Sequence, residues 1–250
     1  MRVVTFNICN GGIDNGNNGR LLRQLERLSG LDADVIAIQE AKGWAGPNTK
    51  VFHGGKPFHL AKRILGLDGY LIPSDHDGCH QALFVKASVV QVDEEKHSVG
   101  PPYWHGAAHI RGLVDGRMVS FVGVHLAPST PRLREIEAEA LALKARRGEP
   151  IIMMGDWNAV PVTWADTSGD RRKLDRQAAY ALSETGLRDA AVELGVTTPT
   201  VEAPLPYPCD RIYYRWLTPR ALRVGTGDWG SDHRPVIGDF DVPAVGAAAA

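Results

Sequence analysis

Eight polar side chains of the kinds that bind metals and transfer protons stand beside short apolar segments of the chain. They are Asn7, Glu40, His125, Asp156, Asn158, Asp210, Asp232 and His233. Carboxylate and amide oxygens suit hard divalent cations, and imidazoles and carboxylates are the usual general acids and bases. Because a rigid sheet holds its strand ends in place, polar groups there often form active sites. Each of these residues alone is better explained as a turn, surface or structural residue, and only their combination indicates a site.

The elements that would position these side chains are short strands rich in β-branched residues. The predicted strands cover residues 2–8, 34–39, 70–72, 82–86, 89–92, 107–114, 119–126, 151–154, 210–217 and 235–240. Asn7 falls at the end of the first strand, Glu40 directly follows the second, and Asp156 follows an apolar run. Asp115-Gly116 predicts a tight hairpin between two of the strands.

Helices are predicted between the strands. Leu21, Leu25 and Leu28 recur at helical spacing, and Pro131 begins a second helix behind two residues that can cap it. The apolar stripe of this second helix is predicted to consist of Leu133, Ile136, Ala140 and Leu143, and a third helix is predicted over 172–185. Hairpins together with strand–helix–strand units favour mixed sheets covered by helices. One domain over 1–243 is expected, followed by a disordered Ala-rich tail over 244–250.

Composition and charge exclude several protein classes. The 250 residues are 44% hydrophobic and 23% charged, as in ordinary globular domains. A net charge of −1 excludes a polycation that coats nucleic acid or membranes. Three cysteines are too few for a disulfide scaffold and fit a reducing compartment. Since the sequence has no long apolar run and no leader pattern, we expect a cytoplasmic monomer without stable membrane association.

The strand-end residues lie in motifs whose order resembles the endonuclease/exonuclease/phosphatase superfamily of DNase I-like phosphoesterases. The motifs are Thr-Phe-Asn with Asn7, Ile-Gln-Glu with Glu40, Gly-Val-His-Leu with His125, Gly-Asp-Trp-Asn with Asp156 and Asn158, Asp-Arg-Ile with Asp210, and Ser-Asp-His-Arg-Pro with Asp232 and His233. They extend from residue 7 to residue 235, nearly the whole chain. The resemblance implies an α/β fold, a four-layered α/β sandwich of two packed mixed β-sheets flanked by helices. It also implies a metal-dependent hydrolase of phosphate esters.

Such a hydrolase needs neutralised phosphate oxygens, an oriented water and a stabilised leaving oxygen. Glu40 is the predicted first ligand of Mg²⁺, or of Mn²⁺ in its place, with Asp232 and Asn7 as partners; the resemblance points the same way. No group of cysteines and histidines in the sequence has zinc spacing.

The remaining residues of the motifs are the predicted catalytic groups. Asp156 would position or deprotonate the attacking water, and Asn158 would hold a phosphate oxygen. His233 would act as the general base or, when charged, as a clamp on the phosphate, oriented by Asp210. His125 would donate to a phosphate oxygen or to the leaving group. The sequence leaves open whether Asp156 or His233 accepts the proton.

Two segments without acidic residues, 41–67 and 211–227, combine basic with aromatic side chains. Positive charge suits a nucleic acid backbone and aromatic rings suit its bases. The predicted substrate-binding residues are Arg211, Tyr213, Trp104 and His80. A solvated face with aromatic rings turned into the core explains the same pattern.

Three functions therefore compete. A nuclease or phosphodiesterase acting on DNA or RNA is favoured. The second is a phosphatase or phosphodiesterase on a small molecule or lipid headgroup, of the inositol phosphate or sphingomyelin type. The third, a non-catalytic binding scaffold, would predict the loss of Glu40, Asp156, Asn158 or His233, and all four are present.

Overall fold

The computed structural model of the chain describes residues 1–46, 54–145, 148–165, 171–202 and 206–243. The strands among these residues are β1 (Arg2–Asn7), β2 (Val35–Gln39), β3 (Asp68–Ile72), β4 (Gln81–Val85), β5 (Gln91–Glu95), β6 (Ala107–Val114), β7 (Arg117–His125), β8 (Ile151–Asp156), β9 (Arg188–Asp189), β10 (Asp210–Arg215), β11 (Thr218–Val224) and β12 (Val236–Asp241). The helices are α1 (Gly19–Ser29), α2 (Lys56–Leu65), α3 (Pro131–Ala145), α4 (Gln177–Ser183) and α5 (Ala190–Glu193), with a 3-10 turn over Asn10–Gly12. Within these ranges, no helix combines the length and the apolar character needed to cross a bilayer. The predicted tail over 244–250 lies outside the described residues.

The strands form two mixed six-stranded sheets. Their orders are β11-β12-β1-β2-β4-β3 and β5-β6-β7-β8-β10-β9. Each sheet has a parallel pair at its centre, β1 with β2 and β7 with β8, and antiparallel neighbours outside it. Because parallel strands end at the same edge of a sheet, each central pair brings two strand ends together.

Each sheet uses one face for the interior of a sandwich and the other for helices. Fully buried side chains join the two sheets, among them Val3 and Leu83 from the first and Phe121 and Ile152 from the second. Helices α1 and α2 pack on the outer face of the first sheet, and α3 and α4 on that of the second. The predicted four-layered α/β sandwich is confirmed.

All ten predicted strands have counterparts, but several elements were missed or misplaced. Strand β11 was not predicted. It is a half-exposed edge strand, and its arginines and proline interrupt the apolar pattern by which the other strands were identified. Helix α2 lies in the segment interpreted as basic and aromatic, where Phe58, Ala61 and Leu65 form its buried face. The helix predicted over 172–185 is only Gln177–Ser183.

Helix α3 has the predicted start, but the prediction of its buried face is wrong. Leu133 and Ile136 are half-buried and Leu143 is 58% exposed. Instead the helix buries Arg134 and Glu137 completely, together with a set of small and aliphatic side chains. Apolar spacing misled here because both charged side chains find buried backbone partners.

Glu137 holds two loops together. Its Oε1 accepts a hydrogen bond from Trp104 N at 2.6 Å, and its Oε2 accepts one from Ala127 N at 2.8 Å. Burial raises the pKa of Glu137 to about 7, although these two N–H groups and Arg134 oppose the shift. The carboxyl therefore binds its proton more tightly in the folded protein than in the unfolded chain.

We expect Glu137 to make the protein lose stability as pH rises. Between pH 5 and 7 the folded state holds a proton that the unfolded state has released, so the free energy of unfolding should fall by about 2 kcal/mol relative to Glu137→Gln. Urea denaturation of both proteins at the two pH values measures this difference. Glu139→Gln, at an exposed position of the same helix, is the control. If the free energies of unfolding of the wild type and Glu137→Gln differed by the same amount at pH 5 and pH 7, the prediction would be contradicted.

Candidate active site

The strand ends of both sheets meet at one edge of the sandwich. Asn7 ends β1 and Glu40 follows β2, its parallel neighbour. His125 and Asp156 end β7 and β8 and stand opposite each other in the ladder. Asp210 begins β10, which runs antiparallel to β8, and is paired with Asp156. Register groups the residues within each sheet, and the packing of the two sheets brings both groups together through the hydrogen bond from Asn7 Nδ2 to Asp156 Oδ2.

Asp156 is the centre of this group. Its Oδ2 accepts a hydrogen bond from Asn7 Nδ2 at 3.1 Å and lies 3.5 Å from His125 Nε2 and 3.8 Å from His233 Nε2. Its Oδ1 accepts a hydrogen bond from Asn158 N at 2.9 Å. Burial would raise the pKa of Asp156, but the charges of His233 and His125 outweigh it and lower the pKa to about 2. The carboxylate is thus ionised at neutral pH.

His233 is paired with Asp210 through a 2.8 Å contact between Nδ1 and Oδ2. Burial would lower the pKa of His233, but the carboxylates of Asp210 and Asp156 prevail and raise it to about 10. The ring is therefore an imidazolium at neutral pH, already protonated on both nitrogens. Of the two alternatives for the proton acceptor, this charge state favours Asp156 and leaves His233 as a charged donor.

His125 lies inside the site and stacks on His105, with ring centroids 4.3 Å apart. Burial lowers the pKa of His125. Burial and the neighbouring His125 also lower the pKa of His105, to about 3, so His105 is neutral. Ser74 Oγ lies 3.2 Å from His105 Nδ1, which fixes the ring that supports His125.

Glu40 is linked to Asp156 through Asn7, and Asp232 lies near Glu40 beside Cys9. Asn7 Nδ2 donates to Glu40 Oε1 at 3.0 Å as well as to Asp156, while Asn7 Oδ1 accepts from Cys9 N. Burial raises the pKa of the Cys9 thiol, and the carboxylates of Asp232 and Glu40 raise it further. Both carboxylates thus face the same thiol.

These two carboxylates are reachable from solvent, since Asp232 is exposed and Glu40 is half-buried. The oxygens of Glu40, Asp232 and Asn7 are the donor set that a hard divalent cation prefers. The Nδ2 group of Asn7 donates to Glu40 and Asp156, and its Oδ1 accepts one hydrogen bond from Cys9 N. A metal could therefore bind only the second lone pair of Oδ1.

A second group of possible metal ligands exists among the described residues. Asp156, Cys209, Asp210 and His233 place ligand atoms within 4.8 Å of one another. Burial raises the pKa of the Cys209 thiol well above its usual value, so the sulfur keeps its proton. His233 and Asp210 form an ion pair inside this group, so its charges are partly balanced without a metal.

Gly155 is required for the close approach of the two catalytic strands. A Cβ at this position would lie 1.9 Å from the carbonyl oxygen of Val124 on β7. The next residues along the two strands are His125 and Asp156, which contact each other. The glycine of the Gly-Asp-Trp-Asn motif thus serves the geometry of the site.

Lys173 belongs to the site but was absent from the prediction. Its Nζ donates to Asn158 Oδ1 at 2.5 Å, and its charge helps to lower the pKa of Asp156. No motif contains it, because it lies in an irregular segment 15 residues beyond Asn158. A basic residue outside a regular element carries no periodic signal that would reveal it.

Arg211 and Tyr213 do not contribute to the site, and their prediction as substrate-binding residues is wrong. Arg211 is buried and forms an ion pair with Asp189, Nη2 to Oδ2 at 2.6 Å. Tyr213 is buried against Trp157, with ring centroids 4.8 Å apart. Both side chains point to the helix layer, because alternate residues of a strand face opposite sides.

Trp104 and His80 lie at the rim of the site. Trp104 stacks on His76 with a 3.7 Å centroid distance, and it precedes His105. The carbonyl of His80 accepts from Ala41 N, directly after Glu40. Both are half-buried, so a substrate contact by either stays a prediction.

Among the described residues of the acid-free segment 41–67, the aromatic rings do not form a binding strip. Trp44 and Phe58 are both buried in the core under the first sheet. The part between residues 47 and 53 lies outside the described residues. The described aromatic rings of this segment therefore lie in the core, in agreement with the alternative interpretation of the pattern as a solvated face with its rings turned inward.

The family model of Endonuclease/Exonuclease/phosphatase proteins matches residues 4–233. The chain belongs to this family. The match covers every residue of the geometric site described above, from Asn7 to His233. The family is one of phosphoester hydrolases.

Solved structures of family members share the fold at low sequence identity. D. rerio TDP2 complexed with single strand DNA product is 16% identical, with a TM-score of 0.69 over 97% of this chain and 99% of that chain. The human Nocturnin catalytic domain with bound sulfate anion is 18% identical, with a TM-score of 0.70 over 96% and 93%. A Bacteroides thetaiotaomicron mannosyl-6-phosphatase is 15% identical, with a TM-score of 0.69 over 96% and 99%. No curated protein sequence matches the chain significantly.

Proposed function

We propose that this family member is a Mg²⁺-dependent phosphodiesterase that cleaves DNA or RNA. The observation that carries the proposal is the buried, ionised Asp156 between His125 and His233, beside the oxygen donors of Glu40 and Asn7. A carboxylate held ionised next to two imidazoles is suited to orienting a water and removing its proton. The charged donors around it are suited to a phosphate.

Each side chain has a role in this proposal. Asp156 accepts the proton of the attacking water, and the His233 imidazolium donates to a phosphate oxygen while Asp210 holds the ring. His125, placed by its stacking on His105, donates to a phosphate oxygen or to the leaving oxygen. Asn158 offers the one Nδ2 hydrogen that Leu126 O does not take.

Glu40, Asp232 and Asn7 would hold the metal. A bound Mg²⁺ or Mn²⁺ would neutralise phosphate oxygens and the developing charge of the leaving group. Without it, Glu40 and Asp232 present two uncompensated carboxylates to an anionic substrate.

Nucleic acid is the favoured substrate because the rim of the site carries the His76–Trp104 ring stack, on which an unpaired base could stack. The family relative D. rerio TDP2 was crystallised with a single strand DNA product. The second candidate, a small phosphate ester, is supported by the burial of Trp44, Phe58 and Tyr213, which removes a longer binding strip. A mannosyl-6-phosphatase shares the fold.

The test is hydrolysis by the purified protein of labelled single- and double-stranded DNA, RNA, inositol phosphates, mannose 6-phosphate and bis-(p-nitrophenyl) phosphate. We expect oligonucleotide cleavage with Mg²⁺ or Mn²⁺ that EDTA abolishes and excess metal restores. Turnover of the small esters alone would favour the second candidate. No turnover of any of them would contradict both.

Replacement of Glu40 by glutamine should raise the Mg²⁺ concentration needed for half-maximal activity by about 10-fold or more, because a charged oxygen ligand is lost. Titration of activity against Mg²⁺ measures the change. Glu26→Gln, at an exposed position of α1, should match the wild type. An unchanged Mg²⁺ requirement in Glu40→Gln would remove Glu40 from the metal site.

A further inference from the structure

Lys173 lies at the catalytic centre but belongs to none of the sequence motifs. Its ammonium nitrogen lies 2.5 Å from Asn158 Oδ1, and its side chain is only partly buried. Asn158 N donates to Asp156 Oδ1, so a single residue connects Lys173 to the central carboxylate, and the lysine charge lowers the pKa of Asp156. Lys173 thus stands at the boundary between the buried acid–base cluster and solvent.

The backbone on both sides of Lys173 is anchored. Leu174 is buried in a small apolar cluster with Val160, and Val160 N donates to Asp175 O at 3.0 Å. Arg134 binds the carbonyl of Arg172 and the carboxylate of Asp175. The fold therefore holds the backbone of Lys173 in place, although the residue lies in an irregular segment, and the contact with Asn158 places its ammonium group.

The hydrogen bonds of Asn158 show which donors remain for a substrate. Asn158 N donates to Asp156 Oδ1, Nδ2 donates to Leu126 O at 2.9 Å, and Oδ1 accepts from Lys173. An ammonium group has three hydrogens, of which Asn158 takes one. A phosphate oxygen that receives the remaining Nδ2 hydrogen of Asn158 would stand beside the lysine.

We infer that Lys173 binds a non-bridging oxygen of the scissile phosphate and stabilises the negative charge that develops there in the transition state. It is then a catalytic residue, a third source of positive charge beside the metal and His233. The inference rests on the proposed function, since it requires a phosphate ester as substrate. A positive group aimed at developing charge in a half-buried site is an effective means of catalysis.

The first test compares Lys173→Gln, Lys173→Arg and Arg171→Ala on the substrate that the wild type turns over. Glutamine can still donate to Asn158 but has no charge, and we expect kcat/KM to fall by about 10²-fold. Arginine keeps the charge and should retain activity within about 10-fold. Arg171→Ala removes an exposed charge two residues away and should match the wild type. Near wild-type kcat/KM in Lys173→Gln would overturn the inference.

A double-mutant cycle separates contact with the substrate from simple positioning of Asn158. If Lys173 contacts phosphate, Lys173→Gln should lower kcat/KM further in an Asn158→Ala background, and the inhibition constant of inorganic phosphate should rise about 10-fold in Lys173→Gln. No further loss in that background, with unchanged phosphate inhibition, would make Lys173 a positioning residue only. A wild type inactive on every ester would instead contradict the proposed function.

Discussion

Replacement of Asp156 by asparagine should lower kcat/KM for phosphoester hydrolysis by about 10³-fold or more while the protein stays folded. Asparagine keeps the shape of the side chain but can neither accept a proton nor balance the charge of His233. A general base contributes about 10²–10⁴-fold, and the loss of an electrostatic partner adds to that loss. Steady-state kinetics on the best substrate, with circular dichroism to verify folding, measures the effect.

The same variant should change the titration of His233. Because Asp156 is one of the carboxylates that raise the pKa of His233, its neutralisation should let the ring lose its proton at a lower pH. NMR titration of the histidine signals in the metal-free protein measures the shift.

A matched control is Asp239→Asn. Asp239 is paired with Arg2 at the opposite end of β1, so the change removes one carboxylate without touching the site. It should leave kcat/KM unchanged. If Asp156→Asn retained activity comparable to this control, another residue would have to be the base.

The position of the site was predictable because it depends on strand ends. Buried β-branched runs identify the strands. Parallel pairing at the centre of the first sheet places Asn7 and Glu40 at one edge of that sheet, and parallel pairing at the centre of the second sheet places His125 and Asp156 at one edge of it. The order of these residues along the chain resembled that of the family motifs, which indicated that they form one site. Distances and charge states, such as the protonated His233, needed the packing of both sheets.

The failed predictions concern the direction of side chains. In β10, Asp210 faces the site, so Arg211 and Tyr213 must face the helices, while Ile212 and Tyr214 face the other sheet. A strict two-residue period would have excluded Arg211 and Tyr213 from the substrate site. On α3 the buried face consists of Ala138, Leu141, Ala142 and Ala145 with Arg134 and Glu137, and it is a different face from the predicted apolar stripe.

Arg134 is the residue for which we expect the largest loss of stability. Its side chain is completely buried, Nη1 donates to Ala127 O at 2.8 Å, and the guanidinium also binds Asp175 and the carbonyl of Arg172. Removing one partner of a buried ion pair costs about 3–5 kcal/mol, since the other charge stays buried without compensation. Arg134→Met should therefore lower the free energy of unfolding by about that amount.

Arg132→Met is the matched control on the same helix. Arg132 is 68% exposed and pairs with Glu135 one turn away, an arrangement worth less than about 1 kcal/mol. Urea denaturation of both variants and the wild type measures the contrast. Similar stability in all three proteins would mean that Asp175 finds another partner or reaches water when Arg134 is absent.

The loss of Arg134 should also reach the active site. The carbonyl of Ala127 lies two residues beyond His125, and the carbonyl of Arg172 directly precedes Lys173, so one guanidinium anchors both segments. In Arg134→Met that remains folded, kcat/KM should fall, and Lys173→Gln should have a smaller further effect than in the wild type because the ammonium has lost its fixed position. Such coupling would follow from one buried guanidinium that connects α3 to the segments carrying His125 and Lys173.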